Sequence, residues 1–202
     1  MPSTSTSDDL SCYYAAFRAD DVPVNIVPSF DYSSKIPLLS NTAVGPFKAG
    51  MTCTVPIWFA LTLRQRSLCV IQQPDWLNAE NLVEIIATEK ASRALFTDSS
   101  RLPAAYYEIA KRLTQADSNS QNASSSGGGA GDGKSVALLV QDLLSIRLDK
   151  LRQQFQGFLS DLSDQTALTV DVNGIGTQEL AILQRFVRQA LNDQNYLLVG
   201  NN

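Results

Sequence analysis

The chain has 202 residues, 44% of them hydrophobic and 18% charged, with a net charge of −4 and no histidine. Such a length supports one substantial core, or a medium module with a smaller one, and the scattered charge argues against a dedicated nucleic-acid arm. The missing histidine removes the usual neutral-pH proton shuttle, the commonest zinc ligand and every nucleophilic triad that depends on an imidazole.

The three cysteines, Cys12, Cys53 and Cys69, are odd in number and widely spaced, which fits free thiols in a reducing compartment and suggests no zinc site. The polar start after Met1 does not read as a signal peptide, and no stretch is long enough to cross a bilayer, so no membrane partner is expected.

In chain order, residues 9–19 suit a short helix carrying Leu10, Tyr13, Tyr14 and Phe17 on one broad face. A short strand over 22–27 follows, with Pro23 expected at an edge or first position because it cannot donate to a ladder, and Pro28 expected to stop it. Turn residues fill 31–50, and a further strand is expected over 51–55. Pro56 suits the first turn of a helix bearing Ile57, Trp58, Ala60, Leu61 and Leu63, with Arg64 and Arg66 near its negative end. Residues 68–71 form another strand candidate. Pro74, Asp75, Trp76 and Leu77 form a turn into a helix capped by Asn78, on which Glu89 and Arg93 are spaced for an exposed pair.

A helix after Pro103 turns Tyr106, Ile109, Ala110 and Leu113 inward. The Gln/Asn/Ser/Gly tract over 115–134 has nothing to bury and reads as a flexible loop. Beyond it, Val136, Val140, Leu143, Leu144, Leu148, Leu151, Phe155, Phe158 and Leu159 recur at helical spacing without a proline. A helix over 135–160 would be roughly 39 Å long at 1.5 Å per residue. A chain this small covers such a rod only in part, so its apolar surface, widened by Leu138 and Ile146, points to a partner. The alternative is a central helix in a monomeric bundle. A strand over 168–172, a turn at Gly174 and Gly176, and a final helix capped by Thr177, with Glu179 in its first turn, complete the chain.

One motif invites a nucleotide. GGAGDGKS at 128–135 fits the phosphate-loop pattern, but a phosphate loop hangs between a buried strand and its helix, and residues 114–126 cannot supply that strand. The carboxylates Asp20, Asp21, Asp161 and Asp164 have no pocket to set their environments apart, and Trp58 and Trp76 suit packing better than base stacking.

The order of several segments resembles the GINS complex subunit two family. The matches are VNIVPSF at 24–30, Gly45-Pro46-Phe47 with Gly50, VPIWFA at 55–60, LRQR at 63–66, Cys69, Pro74-Asp75-Trp76, Tyr106-Tyr107, LVQDLLSIRLDKLR at 139–152, and residues 180–192. The Gly/Ser tract departs from the family pattern by its length.

The resemblance implies an α+β fold: a predominantly helical domain with a small N-terminal β-containing domain. The domains would divide as 1–60 for the small domain and junction, 61–114 for the first helical part, 115–134 for the linker, and 135–202 for the long and C-terminal helices. It also implies a nuclear, non-catalytic scaffold without cofactor, built with three other GINS subunits and joined to the MCM ring and Cdc45, with DNA contact mainly indirect. Interface candidates are Leu143, Leu144, Arg147, Lys150, Leu151, Arg152 and Phe155; junction candidates are Pro56, Trp58, Pro74 and Trp76. Alternatives from other classes are a single-stranded DNA binding module, resting on Arg147, Lys150 and Arg152, and a monomeric enzyme.

Overall fold

The computed structural model describes residues 5–38, 43–95, 97–99, 101–121, 132–161 and 174–199. The chain opens with helix α1 (Ser5–Asp20) and enters strand β1 (Pro23–Pro28), where burial alternates: Val24, Ile26 and Pro28 face inward while Pro23 and Asn25 face out. That alternation is the period-two consequence of a pleated strand with one covered face. β1 is the middle strand of an antiparallel sheet in the order β4-β1-β5, with β4 at Cys53–Pro56 and β5 at Cys69–Ile71. Val24 lies opposite Val55, and Ile26 lies between Cys53 and Ile71. Pro23 is tolerated in a central strand because it occupies the first position.

Between β1 and β4, a small hairpin pairs β2 (Ile36–Pro37) with β3 (Ala43–Val44), and an isolated bridge joins Tyr32 to Phe47. Phe47 holds this excursion to the body: its ring lies 5.4 Å from Phe30 and 6.0 Å from Phe59. The Gly45–Pro46 peptide just before it is cis.

Helix α2 (Ile57–Gln65) starts directly from β4, with Pro56 in the cap position, and lays Ile57, Ala60 and Leu63 under the sheet. A short 3-10 turn (Asp75–Leu77) then leads to α3 (Ala79–Ala91), whose first turn is capped by the Asn78 side chain accepting from the Glu80 N–H. Asn78 therefore acts as its sequence position promised.

The remaining helices are α4 (Tyr106–Gln121), α5 (Asp132–Asp161) and α6 (Thr177–Val199). α5 packs against α3, α4 and α6, while α1 packs across α4 and α6. Val136, Val140, Leu143, Leu151 and Phe155 form a buried stripe along α5 at helical spacing. Sheet and bundle share one core, in which Ala19, Ile26, Val55, Ile57, Leu77, Leu82, Ile85, Tyr106 and Leu143 belong to a single cluster. The architecture is α+β, mostly helical with small antiparallel sheets.

Two readings shift at this level. β5 pairs with β1, so the sheet continues past residue 60, where the small domain was expected to end. The tract over 115–134 is flanked by longer helices than expected: α4 continues to Gln121 and α5 begins at Asp132. Polar residues sustain the helix to Gln121 because no glycine or proline interrupts them there. The strand expected over 168–172 and the first half of the GGAGDGKS stretch, 128–131, lie outside the described residues; Asp132, Gly133, Lys134 and Ser135 belong to the first turns of α5.

Candidate functional site

The most strongly organised polar group lies inside the bundle and centres on Arg147. Its side chain is 1% exposed, yet it projects from the apolar stripe of α5, one helical turn from both Leu143 and Leu151. A guanidinium taken out of water must be met by opposite charge and acceptors, or the fold loses several kcal/mol.

Glu179 on α6 meets it. Arg147 Nε donates to Glu179 Oε1 at 2.6 Å and Nη2 donates to Oε2 at 3.2 Å, a two-pronged arrangement matched to the planar fork of arginine. The same carboxylate accepts from the Tyr106 hydroxyl of α4 at 2.7 Å and from the Gly176 N–H at 2.8 Å. On the far side, Arg147 Nη1 lies 3.5 Å from Glu89 Oε1 of α3, and Lys150 Nζ lies 3.2 Å from that oxygen. Arg147 also donates to the Gly174 carbonyl. Four helices are thereby joined through one buried cluster with two positive and two negative groups.

The electrostatics follow from that geometry. Burial alone would lower the Arg147 pKa, but hydrogen bonding and charge from Glu179, with Glu89 adding to it, outweigh burial and raise it. Burial and the adjacent Glu179 carboxylate push the Tyr106 phenol far above its ordinary range, so it remains a hydrogen-bond donor. Glu108 is 6% exposed; burial raises its pKa, against the lowering effect of the hydrogen bond from Thr177.

Sequence reasoning missed this cluster. Glu89 does not sit in an exposed pair with Arg93; it is fully buried and faces Arg147, because its place on α3 falls on the stripe of Leu82, Ile85 and Ile86. Thr177 does not cap α6 with its hydroxyl. It donates to Glu108 Oε1 at 3.0 Å, while Glu179 reaches back to the Gly176 N–H as one half of a capping box. A charged residue at four-residue spacing within an apolar stripe was the available signal.

The interface candidates separate into two groups. Leu143, Arg147, Leu151 and Phe155 are buried within this chain, Phe155 meeting Phe186 of α6 edge-on at 5.8 Å. Their placement inside follows from the stripe itself, which α3, α4 and α6 cover. Leu144 is half-buried, Lys150 is largely covered and donates to the Ala94 carbonyl, and Arg152 is exposed beside Asp149 at 3.0 Å. Arg147, Lys150 and Arg152 therefore do not form a common basic surface, which removes the geometry on which the single-stranded DNA reading rested. Of the junction candidates, Pro56, Pro74 and Trp76 are half-buried, and Trp58 is 40% exposed with its ring edge-on to Phe59 at 5.4 Å.

Exposed apolar surface lies elsewhere. Among the described side chains of α1, Ala15 and Ala19 are buried, while Tyr13, Tyr14 and Phe17 are 73%, 62% and 65% exposed. Along α6 no described apolar side chain is fully buried: Ile182, Leu183, Phe186 and Val187 are half-covered and Leu180 is 49% exposed. Leu138 of α5 is exposed as well. Single exposed apolar residues are ordinary, but two adjoining helices with this pattern are what an unfilled interface presents. Among the described residues no group of three or more His, Cys, Asp or Glu is placed to hold a metal ion, and no helix is long and apolar enough to cross a membrane.

These features define an α+β protein in which a small antiparallel β module leads into a helical bundle clasped by buried ion pairs. Residues 12–72 match the family described as the PSF2 N-terminal domain, and residues 76–196 match the GINS complex protein helical bundle domain. Over 143 residues, 71% of this chain and 72% of the relative, the sequence is 29% identical to the probable DNA replication complex GINS protein PSF2 of Caenorhabditis elegans. It is 31% identical over 142 residues to the corresponding protein of Brugia malayi, covering 70% of this chain and 66% of that one. Against the DNA replication complex GINS protein PSF2 of Homo sapiens, it is 29% identical over 178 residues, with 87% and 85% covered. The chain belongs to the PSF2 family of GINS proteins.

Proposed function

We propose that this chain is a non-catalytic structural subunit of a GINS complex acting in DNA replication in the nucleus. Its immediate partners are three other GINS subunits, and the assembled particle holds the MCM ring and Cdc45 in the geometry of a working helicase. The observation that carries the reading is the uncovered apolar surface of α1 and α6, at Tyr13, Tyr14, Phe17 and Leu180. A lasting interface of a few thousand Å² is built from surface of this kind. From the long helix, Leu138, Leu144 and Arg152 remain available to a neighbour, whereas Leu143, Arg147, Leu151 and Phe155 support the interface from within by fixing α5.

In the same reading, the protein has two units joined at two crossings. Pro56 and Trp58 carry the chain from β4 into α2, and Pro74 and Trp76 carry it from β5 into α3. Both prolines fix the extended backbone entering a helical turn, with φ of −61° at Pro56 and −62° at Pro74.

Co-expression with the three candidate subunits, followed by native mass measurement, tests the proposal. The expected result is a particle with one copy of each chain, lost when Tyr14→Asp and Leu180→Asp are combined, while the lone chain self-associates. A stable lone monomer with a cooperative unfolding transition and no affinity for those subunits would overturn it.

A further inference from the structure

Among the described residues one edge of the sheet is unpaired, and a groove lies along it. Ile57 N–H donates to the Val22 carbonyl at 3.0 Å, extending the β1–β4 register, while Gln72 N–H donates to the Asn25 carbonyl at 2.9 Å on the opposite side of β1. Antiparallel pairs alternate between bonded and non-bonded. Residues 22, 24 and 26 therefore address β4, and Asn25 addresses β5. Thr54, opposite Asn25, must turn its backbone N–H and C=O away from the sheet, and no described strand pairs with them.

The groove on that side has a volume of about 840 Å³. Thr54, Val55 and Pro56 form one wall, the β2–β3 hairpin contributes Leu38, and Phe17 and Trp58 stand at its margins. The volume is that of a site for a few side chains rather than for a folded domain. Asp21 is the one charged residue among the described lining, and no ion pair joins it to another described residue.

We propose that this groove docks an extended segment of another polypeptide, which pairs with the free edge of β4, sets alternate apolar side chains against Phe17, Leu38 and Trp58, and brings a lysine or arginine to Asp21. Three observations select that occupant. The outward Thr54 N–H and C=O offer a ladder donor and acceptor that an extended strand can take up and a helix, with its backbone groups already paired, cannot. The apolar walls call for the alternate side chains of a strand. The lone carboxylate calls for a base. A second copy of this chain fits less well, because its own β4, Cys-Thr-Val-Pro, has no basic residue to offer. This peptide-sized site shares Phe17 with the α1/α6 surface, and the rest of its lining lies outside that surface.

The test uses the full chain in its co-purified complex and a fluorescein-labelled heptapeptide alternating valine and threonine, with one arginine near its end. Fluorescence anisotropy should show saturable binding, and hydrogen exchange should show new protection at the Thr54 amide. Proline at the centre of the peptide should abolish binding by removing a ladder donor. Asp21→Lys should weaken it about tenfold, and replacing the peptide arginine with glutamate should restore binding to that variant. Native mass should be unchanged by Asp21→Lys, which separates failure here from failure of the subunit reading. Equal binding of the proline peptide, indifference to the charge exchange, binding of a helical probe alone, edge-to-edge pairing of two complexes, or no binding by an intact complex would each overturn the proposal.

Discussion

Glu179 lies 32 residues beyond Arg147 in sequence, yet its carboxylate accepts hydrogen bonds from both the Nε and the Nη2 of that guanidinium. Because both side chains are buried, neither has water to fall back on. Removing one partner therefore costs more than the pair itself contributes. Arg147→Ala should destabilise the protein by about 3–5 kcal/mol, whereas Arg147→Met combined with Glu179→Gln and Glu89→Gln should recover much of that loss. Chemical unfolding of the co-purified complex, followed by hydrogen exchange in α6, measures both. A loss below 1 kcal/mol for the single change would mean that the buried charges are met in another way.

Glu108 sets a pH dependence of opposite sign to that of an ordinary paired carboxylate. Burial raises its pKa in the folded state, with the Thr177 hydrogen bond opposing. Below the ordinary carboxylate range the group is protonated in both folded and unfolded states and contributes no slope. As pH rises from that range through the raised folded value, the unfolded chain ionises first and this group's contribution to stability falls. Glu108→Gln keeps an oxygen for Thr177 and removes the ionisation. Its expected effect is a flatter stability profile above the ordinary carboxylate range, read by thermal unfolding across a pH series.

Gly174 and Gly50 separate backbone strain from crowding. Both have positive φ, 76° and 77°, but a Cβ at Gly174 would lie 2.8 Å from Thr97 Cγ2, while one at Gly50 would meet nothing within 4 Å. Gly50→Ala should cost about 1 kcal/mol from conformation alone. Gly174→Ala should cost more, about 2–3 kcal/mol, and should also disturb the Arg147 contact with the Gly174 carbonyl. Denaturation midpoints of the two variants, compared at equal slope, decide the matter.

Phe47 is the pin of the β2–β3 excursion, stacked on Phe59 and tilted against Phe30. Phe47→Ala should cost about 3–4 kcal/mol through cavity formation and lost ring contacts. Exchange should accelerate at the Tyr32 and Phe47 amides, which bond each other's carbonyls at 2.8 Å, before it does in the bundle.

Much of the fold was legible because period and punctuation agreed with packing. Val24 and Ile26 alternate as a half-covered strand, Pro56 and Asn78 mark helix entries, and Tyr106, Ile109, Ala110 and Leu113 face the core. Glu89, Arg147 and Glu179 were harder to place, since a charge on an apolar stripe is buried only if a distant opposite charge arrives to meet it. That pairing is a tertiary fact. The exposed face of α1 was equally opaque: Tyr13, Tyr14 and Phe17 look like core residues by composition, yet among the described side chains of that helix it is the small Ala15 and Ala19 that are buried against its neighbours. The open edge of β4 depended on bonding register, which side-chain pattern does not reveal.

The position of the charge clasp along the chain also bears on synthesis. A ribosome delivers Glu89 and Arg147 well before Glu179, so a nascent chain carries an arginine it cannot yet bury at full strength. The clasp gains its last carboxylate only as α6 emerges, so the bundle cannot close around Arg147 before that helix has been made.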